Sequence, residues 1–272
     1  MPELPEVETT CRGIAPSLEG RLIERVVLRE RRLRWPVPQG FERQLKGRRI
    51  TAVERRAKYL LIRTDGGTLI AHLGMSGSLR ILGHELPPRP HDHVDLVLDS
   101  GRVLRFNDPR RFGSLHWVEG DPGAHPLLAG LGPEPLGPGF DGDYLWRRAR
   151  GRRVAVKLLI MNAQVVVGVG NIYASEALFR AGIRPTTPAG RVSRARMEKL
   201  AGAIRDVLVE AIRVGGTTLR DYVNPDGAPG YFRQKLFVYE RACEPCRRCR
   251  TPIRQRVLGQ RSTYWCPTCQ PA

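Results

Sequence analysis

The sequence predicts an α+β fold in which an antiparallel β-sandwich or barrel precedes a helical region that ends in a cysteine-rich hairpin. Three observations predict it: short β-rich runs separated by turn signals over residues 1–119, apolar positions at helical spacing after residue 142, and two C-x-x-C pairs near the C-terminus. With 272 residues and 41% hydrophobic content, the chain can bury a core in one large or two modest domains, and two are expected.

Pro5 is expected to open a first helix, with Glu6 in its first turn and Val7, Cys11, Ile14 and Leu18 as its buried stripe. Strands are expected at 60–63, 94–98 and 102–106, with Asp65-Gly66-Gly67 as one of the turns between such runs. Residues 120–142 carry Pro122, Gly130, Pro133, Pro135 and Pro138 without sustained periodicity, so a linker is expected there. Helices follow at 144–150, 154–163, 172–181 and 193–214, the last with Met197, Leu200, Ile204, Leu208 and Ile212 along one face. The expected modules are therefore 1–119, the linker 120–142, a helical domain 143–236 and a cysteine-rich finger 237–271.

The 45 Lys and Arg exceed the 27 Asp and Glu by 18 charges, a self-repulsion that a polyanion would screen. Nucleic acid is the expected partner. No apolar run approaches the ~20 residues of a spanning helix, and no basic start followed by an apolar run marks a signal peptide, so no membrane partner and a cytoplasmic location are expected.

Four of the six cysteines, Cys246, Cys249, Cys266 and Cys269, are spaced C-x2-C-x16-C-x2-C, by which two tight turns each offer two sulfurs to a tetrahedral Zn²⁺. One structural zinc is expected, since four thiolates leave no open position for substrate. Cys11 belongs to the first helix and Cys243 has no motif partner. Strands are expected at 253–258 and 263–265, with 259–262 as the tip between them; seven arginines and one glutamate between Arg241 and Arg261 suit phosphate contact.

At the other end, removal of Met1 would leave Pro2 as a free secondary amine. An α-amino group titrates near ~8, against ~10.4 for lysine, so it is far more nucleophilic at neutral pH. Its attack on a deoxyribose C1′ gives an iminium directly, which acidifies the neighbouring sugar proton and permits elimination of phosphate. Glu3 is adjacent and able to shuttle protons.

Met1-Pro2-Glu3-Leu4-Pro5-Glu6-Val7-Glu8 resembles the opening of bacterial formamidopyrimidine-DNA glycosylases. The resemblance continues through Arg56-Ala57-Lys58-Tyr59-Leu60, His72-Leu73-Gly74-Met75-Ser76-Gly77, His91-Asp92-His93-Val94-Asp95 and Asn107-Asp108-Pro109-Arg110-Arg111-Phe112-Gly113. It extends to Val167-Gly168-Val169-Gly170-Asn171-Ile172-Tyr173-Ala174, Asp226-Gly227-Ala228-Pro229-Gly230-Tyr231-Phe232 and Gln260-Arg261-Ser262-Thr263. These blocks span nearly the whole chain in order, and together they are highly specific.

The resemblance implies a β-sandwich joined to a helix-two-turn-helix domain with a zinc-ribbon hairpin, and a bacterial, nucleoid-associated monomer acting on damaged double-stranded DNA. It implies a bifunctional glycosylase and abasic-site lyase that removes oxidised purines. Pro2 would be the Schiff-base nucleophile, Glu3 the proton-transfer carboxylate, Glu6 a supporting carboxylate at the sugar and Lys58 a contact to the phosphate flanking the lesion. His91, Arg110, Arg152, Asn171 and Arg261 would touch the DNA backbone, Arg261 also assisting the second elimination. Asn171 stands after Gly168-Val169-Gly170 at a helix start, where free N–H groups favour phosphate. Met75 and Phe112 offer the apolar wedge, and Arg110 the cation, that base flipping requires. Gly227 to Gly230, flanked by Thr217-Thr218 and Tyr231, resembles the family's lesion-recognition loop.

Asn162 stands where the family commonly has Asp, and Glu240, Cys243 and Arg250 stand where glycine is frequent; losing glycines that need positive φ would loosen the first metal turn. An endonuclease VIII-type glycosylase for oxidised pyrimidines is the alternative enzyme, against which Leu4, Met75 and Arg110-Arg111-Phe112 count. A zinc-ribbon DNA-binding protein without catalysis is the non-enzymatic alternative, and it would need none of Pro2, Glu3 and Lys58.

Overall fold

The computed structural model describes residues 2–217 and 235–271. Met1 and the expected lesion-recognition loop, with Thr218 and Tyr231, lie outside the described residues. Among the described residues two compact units form, 2–129 with 214–217, and 130–213 with 235–271.

The first unit contains α1 (Leu4–Leu18), β1 (Ile23–Leu28), α2 (Phe41–Leu45), β2 (Ile50–Arg56), β3 (Tyr59–Thr64), β4 (Gly67–His72), β5 (Ser78–Leu82), β6 (Asp92–Leu98), β7 (Val103–Asn107), β8 (Ser114–Val118) and α3 (Pro126–Ala129). Its strands make two four-stranded antiparallel sheets, ordered β1-β6-β7-β5 and β2-β3-β4-β8, which decides between sandwich and barrel in favour of the sandwich. Strand residues two apart share a face. Accordingly Leu60 and Ile62, Leu69 and Ala71, Val94, Leu96 and Leu98, and Leu104 and Phe106 enter one buried cluster drawn from both sheets. Val7, Cys11, Ile14 and Leu18 of α1 close that cluster as the helical spacing predicts, and Phe41 and Leu45 of α2 add to it. The helix begins one residue before Pro5, with Glu3 as its N-cap.

Opposite Val94 and Leu96, the other face of β6 buries charge. Asp95 lies directly across from Arg105 of β7, whose guanidinium forks onto both Asp95 oxygens at 2.8 Å and reaches Asp92 at 3.1 Å. The same guanidinium donates to the carbonyls of Leu86 and Pro87, so the loop that leads to His91 is fastened to the sheet. Burial works to raise the Asp95 carboxyl, but hydrogen bonds from Arg105 and Arg29 outweigh it and hold the group below its usual range.

The second unit contains α4 (Gly142–Ala149), α5 (Val156–Met161), α6 (Asn171–Arg180) and α7 (Arg194–Arg213), then β9 (Arg254–Leu258) and β10 (Arg261–Trp265). On α7, Met197, Leu200, Ile204 and Leu208 are buried as expected, joined by Val207 and Ala211, whereas Ile212 is only half-buried. Ile172 to Phe179 of α6 are buried on every side, which marks α6 as this unit's central helix. Asp141 caps α4 by accepting the Tyr144 N–H at 2.7 Å, and this cap starts the helix two residues before the expected position. Gly142 is required there, because a Cβ would lie 2.2 Å from the Glu198 carboxylate and 2.3 Å from its Cα. Segment 120–142 holds a short 3₁₀ turn and α3, with Leu128 and Phe140 buried. Among the described residues, no helix is long and apolar enough to cross a membrane.

The β6–β7 network sets a stability expectation. Arg105→Ala leaves two buried carboxylates without their shared partner, which costs roughly 3–5 kcal/mol. Arg105→Lys recovers little of it, since an ammonium cannot fork onto a carboxylate. Urea unfolding of the three proteins measures both effects.

Candidate active site, wedge loops and metal centre

The start of α1 is held from both oxygens of one side chain. Glu6 Oε2 accepts the Glu3 N–H at 2.8 Å, the return half of a capping box, and Glu6 Oε1 accepts the Thr217 N–H at 2.8 Å. Glu3 and Glu6 are each 2% exposed and Pro2 is buried, so the proline and both carboxylates sit in one rigid corner of the first unit. Gly216 adopts φ +78° beside them, and a Cβ there would meet Glu6 at 3.0 Å. The Thr217 contact spans 211 positions, and the sequence carries no signal for it.

Lys58 stands in the two-residue turn Ala57-Lys58 between β2 and β3, since Arg56 pairs with Tyr59. Arg55 braces the turn, donating to the Ala57 carbonyl at 3.0 Å and to Glu8 of α1 at 2.7 Å. Desolvation works to raise Glu8, but Arg55 and Arg12 outweigh it and keep the carboxyl low. His72 packs on Tyr59 with ring centroids 4.9 Å apart. Its Nδ1 accepts the Gly74 N–H at 3.0 Å, so the neutral ring carries its proton on Nε2. Burial first, and then the nearby cations of Lys58 and Arg34, push His72 down to about 4.

Met75 tops the turn between β4 and β5, closed by the Gly77 N–H donating to the Leu73 carbonyl at 2.8 Å. Phe112 follows β7 and is 41% exposed, with the Arg110 guanidinium 4.8 Å from its ring centre. Gly74, at φ +64°, lies so close that a Cβ would stand 2.4 Å from the Phe112 carbonyl carbon. The two loops expected to supply the wedge are therefore neighbours. His91, at φ 72°, is exposed just before β6.

In the second unit Asn171 is the first residue of α6, and both ends of its amide are engaged. Its Oδ1 accepts from Lys157 Nζ at 2.6 Å and its Nδ2 donates to the Ser262 carbonyl at 3.0 Å. Lys157 is fully buried and also donates to Thr263 Oγ1 at 2.8 Å and the Ser262 carbonyl at 3.2 Å. Sequence reading missed this residue; a lysine among Val156, Leu159 and Ile160 of an apolar helix face was the available signal. Arg152 is exposed beside Arg153 and Arg191, which line the same open depression. Arg261 is the first residue of β10, paired with Leu258, so the hairpin tip is only Gly259-Gln260 and not the four residues expected. Both tip residues have φ near +60°, the type I′ geometry that matches strand twist.

The four cysteines converge. Sγ separations are 3.4 Å for Cys249–Cys266, 3.5 Å for Cys249–Cys269 and 3.9 Å for Cys246–Cys269, and all four sulfurs lie within 4.8 Å of one another. A tetrahedral Zn²⁺ with ~2.3 Å bonds to sulfur has ligand separations of about 3.8 Å, so this donor set fits. Backbone N–H groups of Arg248 and Cys269 point at Cys246 and Cys266 sulfurs from 3.4 Å, as suits thiolates. Three deep hydrogen bonds tie the finger's lead-in to α6: buried Glu176 accepts the N–H groups of Phe237, Val238 and Tyr239, each at 2.9 Å. Glu240, Cys243 and Arg250 occupy left-handed conformations at φ 57°, 65° and 67°. The chain keeps the path that glycine would favour and bears strain in place of the expected loosening.

A buried proline at position 2 beside two carboxylates, on a sandwich followed by a helical unit with a four-cysteine hairpin, defines a DNA glycosylase architecture with a zinc-finger tail. Residues 1–115 match the formamidopyrimidine-DNA glycosylase N-terminal domain, 131–223 its H2TH domain, and 244–272 the zinc finger found in FPG and IleRS. The chain is 62% identical over 276 residues to the formamidopyrimidine-DNA glycosylase of Alkalilimnicola ehrlichii, covering 99% of this chain and all of that protein. It is 60% identical to that of Stutzerimonas stutzeri over 270 residues, covering 99% of this chain and all of that one. The crystal structure of MutM (FPG) from Thermus thermophilus superposes with a TM-score of 0.89 at 43% identity, covering 99% of this chain and 98% of that one. Lactococcus lactis Fpg in complex with DNA containing an abasic site superposes at 0.91 with 30% identity, covering 99% and 100%. This chain belongs to the formamidopyrimidine-DNA glycosylase family.

Two expectations follow from this geometry. His72 is neutral when folded and titrates near 6.5 when unfolded, so its contribution is complete above about pH 6.5 and is lost as pH falls toward 4. The loss is at most about 3 kcal/mol, and the stability profile of His72→Asn lacks that acid-side decline when measured by urea unfolding at stepped pH. Arg250→Gly relieves a left-handed residue in the first metal turn and gains about 1 kcal/mol, read as a several-fold rise in zinc affinity under chelator competition.

Proposed function

We propose that this chain removes oxidised purines, 8-oxoguanine and formamidopyrimidines, from double-stranded DNA and then cleaves the abasic strand through a Schiff base on Pro2. The observation that carries the reading is the buried corner of Pro2, Glu3 and Glu6, immobilised by Glu6 at both oxygens. A nucleophile held in a near-attack position converts a bimolecular step into an intramolecular one.

In this reading Met1 is removed and the Pro2 nitrogen lone pair attacks C1′ of the damaged nucleotide. The glycosidic bond breaks, its electrons depart with the base, and the base takes up the proton that the proline nitrogen gives up. Glu3 delivers a proton to the ring oxygen O4′ as the sugar opens, leaving an iminium between the proline nitrogen and C1′. Loss of the acidified C2′ proton expels the 3′ phosphate, and a second elimination, assisted by Arg261, expels the 5′ phosphate. Glu6 supports the corner at the sugar, and Lys58, on its braced turn, neutralises the phosphate flanking the lesion. His91, Arg110, Arg152, Asn171 and Arg261 hold the backbone, while Met75 and Phe112 fill the space that the flipped nucleotide vacates. Cys246, Cys249, Cys266 and Cys269 hold one structural Zn²⁺, which clamps the finger and takes no part in the chemistry. The working state is a cytoplasmic, nucleoid-associated monomer whose modules are 1–119, 120–142, 143–236 and 237–271.

Borohydride reduces only the iminium, so the enzyme incubated with duplex DNA carrying one 8-oxoguanine should be trapped on it. Mass spectrometry is expected to place the crosslink on the Pro2 nitrogen. A crosslink on a lysine, or an N-terminally extended protein with full cleavage activity, overturns the assignment.

A further inference from the structure

Asp108 is fully buried in the first unit and is directed at both wedge loops. Its Oδ1 accepts the Ser76 hydroxyl at 3.0 Å, one residue beyond Met75, and the Arg110 N–H at 3.3 Å. Its Oδ2 accepts the Gly113 N–H at 2.7 Å, one residue beyond Phe112. The Asp108 N–H donates to the His91 carbonyl at 3.0 Å, and its own carbonyl is hydrogen-bonded to His93 Nε2 at 2.8 Å. One carboxylate therefore touches the turn carrying Met75 and both flanks of the segment carrying Arg110 and Phe112. The same residue's backbone fixes His91.

The close nesting explains why a shared anchor matters. A Cβ at Gly113 would lie 2.7 Å from the His72 carbonyl and 3.1 Å from Asp108 Oδ2, and a Cβ at Gly74 would lie 2.4 Å from the Phe112 carbonyl carbon. Neither loop can shift toward the other without meeting its backbone, so the position of one tip bears on the position of the other. Hydrogen bonds to an ionised acceptor are among the stronger ones, and three donors converging on one carboxylate define its position narrowly.

We propose that Asp108 is a positioning residue for base flipping, setting Met75, Arg110 and Phe112 in a single register so that they enter the duplex together. This rests on the wedge reading of Met75 and Phe112 given above. In Asp108→Asn an amide NH₂ replaces one acceptor and faces a backbone donor, either the Gly113 N–H or the Arg110 N–H; Ser76 can reverse its hydroxyl and accept, so in either orientation it is the segment carrying Arg110 and Phe112 that loses a hydrogen bond. Ser76→Ala removes only the link to the Met75 turn and leaves the carboxylate in place.

The test measures single-turnover rates at saturating enzyme on matched duplexes, one with 8-oxoguanine and one with a preformed abasic site, where no base has to be extracted. Asp108→Asn should lose about tenfold more on the lesion than on the abasic site, and Ser76→Ala should lose in the same direction but less. Adding Met75→Ala to Asp108→Asn should cost little further, because the wedge is already out of register. Equal losses on both substrates, as a lower folded fraction would produce, overturn the proposal, as does full additivity of the double variant. Met75→Ala alone serves as the control: if it slows both substrates equally, the wedge reading falls and takes this proposal with it. If it discriminates and Asp108→Asn and Ser76→Ala do not, only the role of Asp108 falls.

Discussion

Residues near the start of a chain are ordinarily the least ordered part of a domain unless something ties them down. Here the carboxylate of Glu6 supplies the restraint. One oxygen closes the first turn of α1 onto Glu3, and the other takes a backbone N–H from Thr217. The helix that carries this carboxylate is itself keyed into the sandwich by Val7, Cys11, Ile14 and Leu18, and Glu8 on the same helix reaches the turn of Lys58 through Arg55. Disturbance of any of these contacts would be felt at Pro2.

Both units solve the same problem of precise placement with buried charge. In the first, Arg105 pins the approach to His91 while Asp92 and Asp95 neutralise it. In the second, buried Lys157 fixes the amide of Asn171 and the strand that begins at Arg261, and Glu176 fixes the backbone leading into the finger. Apolar packing alone tolerates small slippage, whereas a buried ion left without its partners is costly. The cations are thus divided: a few are locked inside as fasteners, and others lie at the surface, several of them paired with carboxylates such as Glu8, Glu30 and Glu54.

What the sequence made legible was local. Short β-rich runs bounded by turn signals located β3, β6 and β7 to within two residues at each end, the helical stripe of α1 held at every position, and the cysteine spacing foretold the converged sulfurs. Long-range satisfaction of polar groups was not legible. Lys157 meets Thr263 across 106 positions and Glu6 meets Thr217 across 211, and no local periodicity encodes such partners. The hairpin tip was drawn too long because left-handed residues, rather than polar ones, define the turn, and only Gly259 and Gln260 adopt that conformation there. Ser262, expected at the tip, pairs with Val257 in the ladder.

The thiols differ sharply in access. Cys11 is sealed in the sandwich, hydrogen-bonded to the Val53 carbonyl, and burial pushes it up to about 11, while four sulfurs are committed to one another in the cluster. Cys243 is exposed and stands apart from that cluster, on the strained turn that precedes it. With zinc held by the four of the cluster, a maleimide dye offered to the folded protein would find a single address, at the base of the finger, without any cysteine having to be engineered in or out.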